Sequence, residues 1–528
     1  MAWSAEFIAA LSDTRIAPVY AVEFLAGATG QGVGATSGVL TTHPIDQGLP
    51  VLGDVRVGGH SVTIGTWAYQ TAEWSFEVRN LDALTWAATL RRGTLVRLHM
   101  GFGGWAFRQF QPVALGRIQT VRTERRGIYQ VSVWGINTAL RSRLVTVLEA
   151  AHASAARTAQ LCHNAGTFDT KAVTSYTPGD TVFPLNDSTG FEATGGIGAT
   201  GVVKVTGDSG AIFYLTFTGV SSNSLTGVST TGQFGTVAEV ASVGNLCYNV
   251  SYYYGHPLQI AARVLQSTGA GTNGTWDDLG ASQGLALPAE MMDERAFFDV
   301  ANTVVKVASG TYNWEVLVED PIADAWAWLS ALLAEAGIWL VEHQGQVVPR
   351  ACQDIRSAAT VASMAEYVVT DADVVSAALD WFSGDVGTEY TACTVYAGNS
   401  HNSSSLTTAV ATLPVDWALE YDVSDRVIAN EAEVIAEMLA RMAPWVLDVP
   451  QDYEIVLPLV AWQLAPGDVT RLELSDRWPS GGLVSTVNGL VSRPAMVVDV
   501  SPEIESRSVR VRFSVLPTDK ADAWESGT

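Results

Sequence analysis

Gly93-Thr94-Leu95-Val96-Arg97-Leu98-His99-Met100 and Gly467-Asp468-Val469-Thr470-Arg471-Leu472-Glu473-Leu474 carry one pattern twice: a glycine, then a strand of alternating character. Two further alternating runs follow each. In the first copy they are Gly116-Arg117-Ile118-Gln119-Thr120-Val121 and, after a turn at Arg126-Gly127, Tyr129-Gln130-Val131-Ser132-Val133-Trp134. In the second they are Ala495-Met496-Val497-Val498-Asp499-Val500 and, after a polar turn at Glu503 to Ser506, Val509-Arg510-Val511-Arg512-Phe513-Ser514-Val515. Alternation at period two predicts sheets with one buried and one wet face. Two related barrels in one chain would let a few subunits build a ring with twice as many similar units.

The rest of the chain is organised around these copies. At 528 residues it exceeds the size of a single core, and several domains are expected. Residues 1–160 read as the first β-barrel domain, with a strand over Ala17 to Leu25, a hairpin over Val55 to Ile64 turning at Gly58-Gly59, and a short helix from Leu81 to Leu90. Residues 161–250, rich in Gly, Thr and Ser, read as a small inserted β-module of short strands between turn signals. Residues 251–365 read as a central α/β domain. Its helix Leu258 to Gln266 follows His256-Pro257, and its helix Ile322 to Ala336 starts after Asp320-Pro321 and is closed by Gly337. A hairpin then turns at Gln344-Gly345. Residues 366–528 read as the second barrel domain, preceded by a helix Val427 to Met442 begun at Ser424 or Asp425. The fold class expected is mainly β with α+β portions.

Charge is unevenly placed. The net charge is −24, yet residues 1–160 hold 14 Lys+Arg against 10 Asp+Glu, a net of +4, which leaves −28 for the remainder. An acidic bulk argues against sequence-specific DNA binding, which leans on Lys and Arg at phosphates. Arg91, Arg92, Arg97, Arg117, Arg122 and Arg125 offer a basic face for an acidic neighbour. The opening Met1 to Phe7 has no basic region followed by an apolar run, so no secretory signal is expected. The most apolar helical stretch, Ile322 to Val341, carries Asp324 and Glu335 and reads as a buried helix, so no membrane insertion is expected.

No catalytic set stands out. The loop Gly27 to Gly38 contains Gly30-Gln31-Gly32-Val33-Gly34, but neither a following helix nor a Lys-Ser/Thr pair suits it to phosphate. Cys162, Cys247, Cys352 and Cys393 are dispersed without CxxC spacing. Cys162 and Cys247 flank the inserted module, which makes them the weak candidates for a metal; buried thiols are the plainer reading. Asp277-Asp278 and Asp293-Glu294 could pose as paired carboxylates, but chance pairs are expected among 54 acidic residues and solvated loops are the plainer reading. No catalytic, cofactor or metal residue is therefore assigned, and no cofactor is expected. Of seventeen tryptophans, Trp314, Trp326, Trp328, Trp339 and Trp445 read as core. Trp105 and Trp478 read as possible interface anchors.

Four segments together resemble the hub proteins of bacteriophage tail tips and baseplates, including those of gene transfer agents. Trp74-Ser75-Phe76-Glu77-Val78 through Arg92-Gly93-Thr94-Leu95-Val96 to Gly116-Arg117-Ile118 is similar to their first tube-related barrel. His256-Pro257-Leu258-Gln259-Ile260-Ala261 with Trp276-Asp277, and Ile322 to Gln346, resemble their central part; Leu464-Ala465-Pro466-Gly467-Asp468-Val469 resembles their second barrel. Phe183 to Gly244 is similar to a small module inserted in many tail proteins.

The resemblance implies a non-enzymatic structural protein of the virion tail, assembled in the host cytoplasm. It would be a homotrimer whose two barrels per chain make a pseudo-sixfold ring. The implied partners are the distal tail protein, the tail tube or tape-measure protein, and tip or fibre proteins, with genomic DNA passing through unbound. Some hubs hold an iron–sulfur cluster on four grouped cysteines, a grouping this chain lacks. Two alternatives are a hexameric distal tail protein and a glycan-binding or wall-degrading tip enzyme.

Overall fold

The computed structural model describes residues 3–13, 17–25, 38–79, 90–137, 169–188, 201–266, 291–318, 324–355, 367–375, 381–383, 392–410, 420–474 and 490–516, apart from a few positions within these runs. The Gly27 loop and the helix expected from Leu81 lie outside the described residues. The chain is mainly β with α+β portions, and one sheet is nearly closed into a barrel.

Helix α1 (Ala5–Ser12) is capped by Ser4, whose hydroxyl accepts the Phe7 N–H at 3.2 Å. The strands that follow are β1 (Pro18–Phe24), β2 (Gly38–Thr41), β3 (Leu52–Arg56), β4 (His60–Thr63), β5 (Ala68–Thr71), β6 (Trp74–Arg79), β7 (Leu95–Phe102), β8 (Gln111–Arg125) and β9 (Ile128–Gly135). Seven of them form one sheet in the order β2-β1-β7-β8-β9-β6-β3. Alternate residues face the core: Trp74, Phe76 and Val78 on β6 are buried while Ser75 and Glu77 are not.

Val55 to Ile64 does not form the expected hairpin. β3 pairs with β6, whereas β4 leaves the sheet and pairs with β5. The Gly58-Gly59 turn lets the chain swing away, and a Cβ at Gly59 would lie 2.1 Å from the Ser501 hydroxyl, which would have to turn aside.

Next come β10 (Asp169–Lys171), β11 (Val182–Pro184), β12 (Gly201–Thr206), β13 (Ile212–Phe217), β14 (Gly219–Ser221) and β15 (Ser224–Thr226). They have their own apolar cluster, including Tyr176, Phe183, Phe213, Phe217 and Leu225. The long strand β16 (Leu246–Gly255) joins them to the centre. The first half of β16 pairs with β10 and β12, and its second half pairs with β17 (Asn313–Val318).

The central part adds α2 (Pro257–Gln266), α3 (Glu294–Thr303), α4 (Ala325–Ala334), β18 (Ile338–His343) and β19 (Gln346–Ala351). Pro257 takes the first position of α2, where its missing N–H matters least. Helix α4 begins later than the Asp320-Pro321 signal suggests, because the Asp324 carboxylate caps it by accepting the Ala327 N–H at 2.8 Å. Gly337, with φ +61°, follows it. Gln344 and Gly345, both at positive φ, make the tight β18–β19 turn.

The remaining elements are β20 (Val368–Thr370), β21 (Trp381–Ser383), β22 (Ala392–Asn399), β23 (Asn402–Val410), β24 (Glu420–Ala429), α5 (Glu431–Leu447), β25 (Gln451–Pro458), β26 (Val469–Leu474), β27 (Leu490–Glu503) and β28 (Ser508–Val515). The helix expected from Val427 starts later. Val427, Ile428 and Ala429 pair with β17, and the ladder outweighs the capping pattern at Ser424 and Asp425. The central sheet runs β13-β12-β16-β17-β24-β22-β23, and the last sheet runs β20-β26-β27-β28-β25-β21.

Two large cores result. One gathers the helices and the β18–β19 hairpin, with Trp314, Trp326, Trp339 and Trp445 buried and Trp328 packed at its edge. The other draws on both terminal β sheets at once, placing Phe76, Leu98 and Val131 in one cluster with Ile455, Leu472 and Phe513. Trp3 and Phe7 join that second core.

Candidate functional site

Four strands of each terminal sheet share one connectivity. In sequence they run β6, β7, β8, β9 and β25, β26, β27, β28; in space they run β7-β8-β9-β6 and β26-β27-β28-β25. The first strand of each set pairs antiparallel with the last, Phe76 opposite Val131 and Ile455 opposite Val511.

The match extends to single hydrogen bonds. Gly93 (φ +87°) donates its N–H to the Ile118 carbonyl at 2.7 Å, and Gly467 (φ +101°) donates to the Val497 carbonyl at 2.7 Å. The return bonds, Ile118 N–H to Thr94 and Val497 N–H to Asp468, are both 2.9 Å. Immediately beyond, each ladder skips one residue, Gln119 in β8 and Val498 in β27, before pairing resumes. A bulge bends its strand and adds local twist, so equal placement gives both units the same bend.

The β18–β19 hairpin wedges between the two units. At its base, Trp339 Nε1 donates to the Pro466 carbonyl at 3.2 Å, and Arg350 pairs with Asp468 at 2.7 Å. At its tip, Gly345 lies against Pro112 and Arg97 of the first unit. Between base and tip, the buried Glu342 carboxylate accepts the N–H groups of Leu115 and Ile136, where the β8–β9 ladder ends. Burial pushes this carboxyl up to about 7, against the pull of those two donors.

The β4–β5 hairpin closes the same junction. Ser61 pairs with Asp499 and His60 with Val500, so β4 extends the second sheet with a strand from the first half of the chain. The Tyr69 hydroxyl accepts the Glu342 N–H at 3.0 Å and lies 2.8 Å from His60 Nδ1. Burial holds His60 neutral by pushing it down to about 4. Trp67 stacks on Trp339 with ring centroids 5.4 Å apart. This arrangement ties both units to the centre through backbone donors, ring stacking and one half-buried ion pair. It is a mechanical joint.

The residues singled out in the sequence fall as follows. Cys162 lies outside the described residues. Cys247 is buried in an apolar cluster with Phe183, Phe213 and Leu225, and burial pushes its thiol up to about 12. Cys352 is buried and donates to the Arg441 carbonyl at 3.1 Å. Among the described residues no cluster of three metal-ligating side chains occurs. Asp293 caps α3, accepting the Ala296 N–H at 3.2 Å; Asp277, Asp278 and Trp478 lie outside the described residues. Trp105 is half-buried against Phe102 and Phe7.

Of the six arginines, Arg91, Arg92, Arg122 and Arg125 are exposed, with Arg92 stacked over Trp134. Arg117 turns inward instead: it donates to the Gly93 carbonyl at 3.2 Å, and burial pushes it down to about 10. Sequence reasoning missed Glu342, His60 and Tyr69. A glutamate closing the apolar run Ile338 to Val341 was the available signal.

No family model matches the chain, and no curated protein matches it. The chain is similar to three solved structures. One is the prophage tail protein gp18 of Listeria monocytogenes EGD-e, with TM-score 0.37, 9% identity and coverage of 97% of this chain and 98% of that one. Another is the 43 kDa tail protein of prophage MuSo2 from Shewanella oneidensis, with TM-score 0.34, 9% identity and coverage of 95% and 100%. The third is a chain of the native gene transfer agent virion, with TM-score 0.29, 12% identity and coverage of 79% and 80%. Scores this low carry no functional argument.

Proposed function

We propose that the chain is a structural hub of a phage-type tail, in which three copies set six β units in a pseudo-sixfold ring. The observation that carries this reading is the paired unit itself, alike in strand order, glycine hydrogen bonds and bulge position. Two such units fixed in one chain by a rigid joint halve the number of subunits a six-unit ring requires. The ring would join the tail tube and distal-tail ring on one side to the threefold tip or fibre on the other. Genomic DNA would pass through its centre. A net charge of −24 suits a passage that repels the phosphate backbone. The protein would act by assembly, with no chemical step.

Counting subunits tests this directly. Native mass measurement and class averages of the purified ring should give three chains with six similar lobes. Six chains would instead indicate a distal-tail ring. A chain that remains monomeric alone and with tail partners would refute the hub reading.

A further inference from the structure

The two matched units differ at one edge. In the second unit, β27 continues past the end of β26, and β4 from the other half of the chain pairs there with Asp499 and Val500. In the first unit, β8 continues in the same way past the end of β7. The residues that correspond to Asp499 and Val500, each set just after its skipped residue, are Thr120 and Val121. Among the described residues no strand pairs with that side of Thr120 and Val121. An edge with unpaired N–H and C=O groups is a template for another strand.

We propose that this open edge of β8 is where a second copy of the chain docks by strand pairing, presenting its own strand β23. The inference rests on the ring reading above and says how neighbouring chains join. The order of elements picks out the strand. In the first unit the arm that reaches the neighbouring unit, β4–β5, lies between β3 and β6. In the second unit the corresponding interval, between β21 and β25, holds the β22–β23 hairpin. β22 is taken by β24 on its far side, whereas β23 ends the central sheet. Among the described residues, β23 therefore has the free edge.

Charge favours the same partner. Residues 1–160 carry a net +4, and Arg122 and Arg125 stand exposed on β8. Residues 366–447, which hold β22 and β23, have 2 Lys+Arg against 13 Asp+Glu. Opposite charge steers such surfaces together and fixes their register. Strand β23 itself, Asn402 to Val410, has no charged residue to disturb a ladder. The joint inside one chain would thus be repeated between chains, unit one to unit two and unit two to the next unit one, until the ring closes.

The test uses the full-length chain. Thr120→Cys is combined in turn with Ser404→Cys, Leu406→Cys and Thr408→Cys, and each single substitution, made in the same chain with its four native cysteines, serves as control. Mild oxidation should link chains to one another in one of the double variants, giving bands up to three copies on a non-reducing gel. Amide exchange on the unmodified protein gives a second readout. Residues 119–123 should slow by about 100-fold or more on assembly, as ladder amides do, while Asp499 and Val500 are already slow in the single chain. Rings of three with no cross-link in any double variant and fast exchange at residues 119–123 would overturn this inference and leave the ring standing. A chain that never oligomerises would overturn both.

Discussion

Leu115 and Pro494 occupy the same rung of the two β units, opposite Arg97 and Arg471 respectively, and only Leu115 has an N–H to donate. That N–H, with the one on Ile136, is what the buried Glu342 carboxylate accepts. The second unit has a proline where the first requires an acceptor. The two copies are thereby told apart: the central hairpin fits one way round.

Glu342→Leu should leave both amides without an acceptor and cost about 1–3 kcal/mol for each. Glu342→Gln should behave differently. The folded protein holds the carboxyl up to about 7, above its ordinary 4.5, so it binds this proton more tightly than the unfolded chain does. Its contribution is full below pH 4.5 and declines as pH rises towards 7, by an amount on the order of 3 kcal/mol. Urea unfolding at pH 5 and pH 8 should show that share of the decline in the native sequence and not in Glu342→Gln. Parallel pH curves for the two proteins would contradict the assignment.

His256 should govern part of the acid limb. Its Nδ1 accepts the Leu258 N–H at 3.1 Å at the start of α2, and its Nε2 donates to the Val305 carbonyl at 2.8 Å. Only the neutral ring can do both. Burial pushes it down to about 4 from the ordinary 6.5, so stability present above pH 6.5 is lost as pH falls towards 4. His256→Asn keeps a capping acceptor without a titration. It should remove a share of acid sensitivity on the order of 3 kcal/mol between pH 6.5 and 4, read from unfolding midpoints.

Gly93→Ala and Gly467→Ala test the same position in two settings. Both glycines sit at positive φ, which costs an L-residue about 1–2 kcal/mol. A Cβ at Gly93 meets nothing within 4 Å, whereas one at Gly467 would lie 2.6 Å from Trp339 and 2.8 Å from Arg350. The second substitution should therefore cost clearly more and quench or shift Trp339 fluorescence. Equal losses at both sites would show that the hairpin does not press on the second unit.

Arg441 is buried on α5 and donates to the Ala336 carbonyl at 2.8 Å, to the Cys352 carbonyl at 3.1 Å and to Glu437. Arg441→Ala strips the partner from a largely buried Glu437 and should destabilise by about 3–5 kcal/mol. Arg441→Lys should recover only part of that, since an ammonium cannot reproduce the planar fork. Full recovery by lysine, measured by thermal unfolding, would argue that charge alone matters there.

Much of this architecture could be read from residues, but only where partners lie near in sequence. The runs after Gly93 and Gly467 announced three strands in each copy. The fourth strands are less plain: Trp74 to Val78 alternates, as do Tyr453, Ile455 and Leu457, yet neither run names its partner. A strand's partner is not written in its own pattern, which is why β25 against β28 needed the structure. The Gly58-Gly59 turn misled for the same reason. A local turn looks like a hairpin until a distant strand, β27, claims one arm. Helix starts at Asp324 and Glu431 moved because a side-chain cap in one case and a ladder in the other overrode the proline and serine signals. At the joint, Glu342 was hidden because its partners, Leu115 and Ile136, lie more than two hundred residues away.

The pairing of His60 with Val500, and the seating of Trp3 and Phe7 in the core that also holds Phe513, bear on how the protein is born. Contacts of such separation form late, because the chain between them must first be brought to order. The first unit is made before the second, yet β4 has only β5 to pair with until β27 has been made. Until then the nascent chain carries an uncovered apolar face and a half-matched strand. A chain that ended before β27 would expose both and be prone to degradation or aggregation. Folding of the first unit is thus coupled to synthesis of the second.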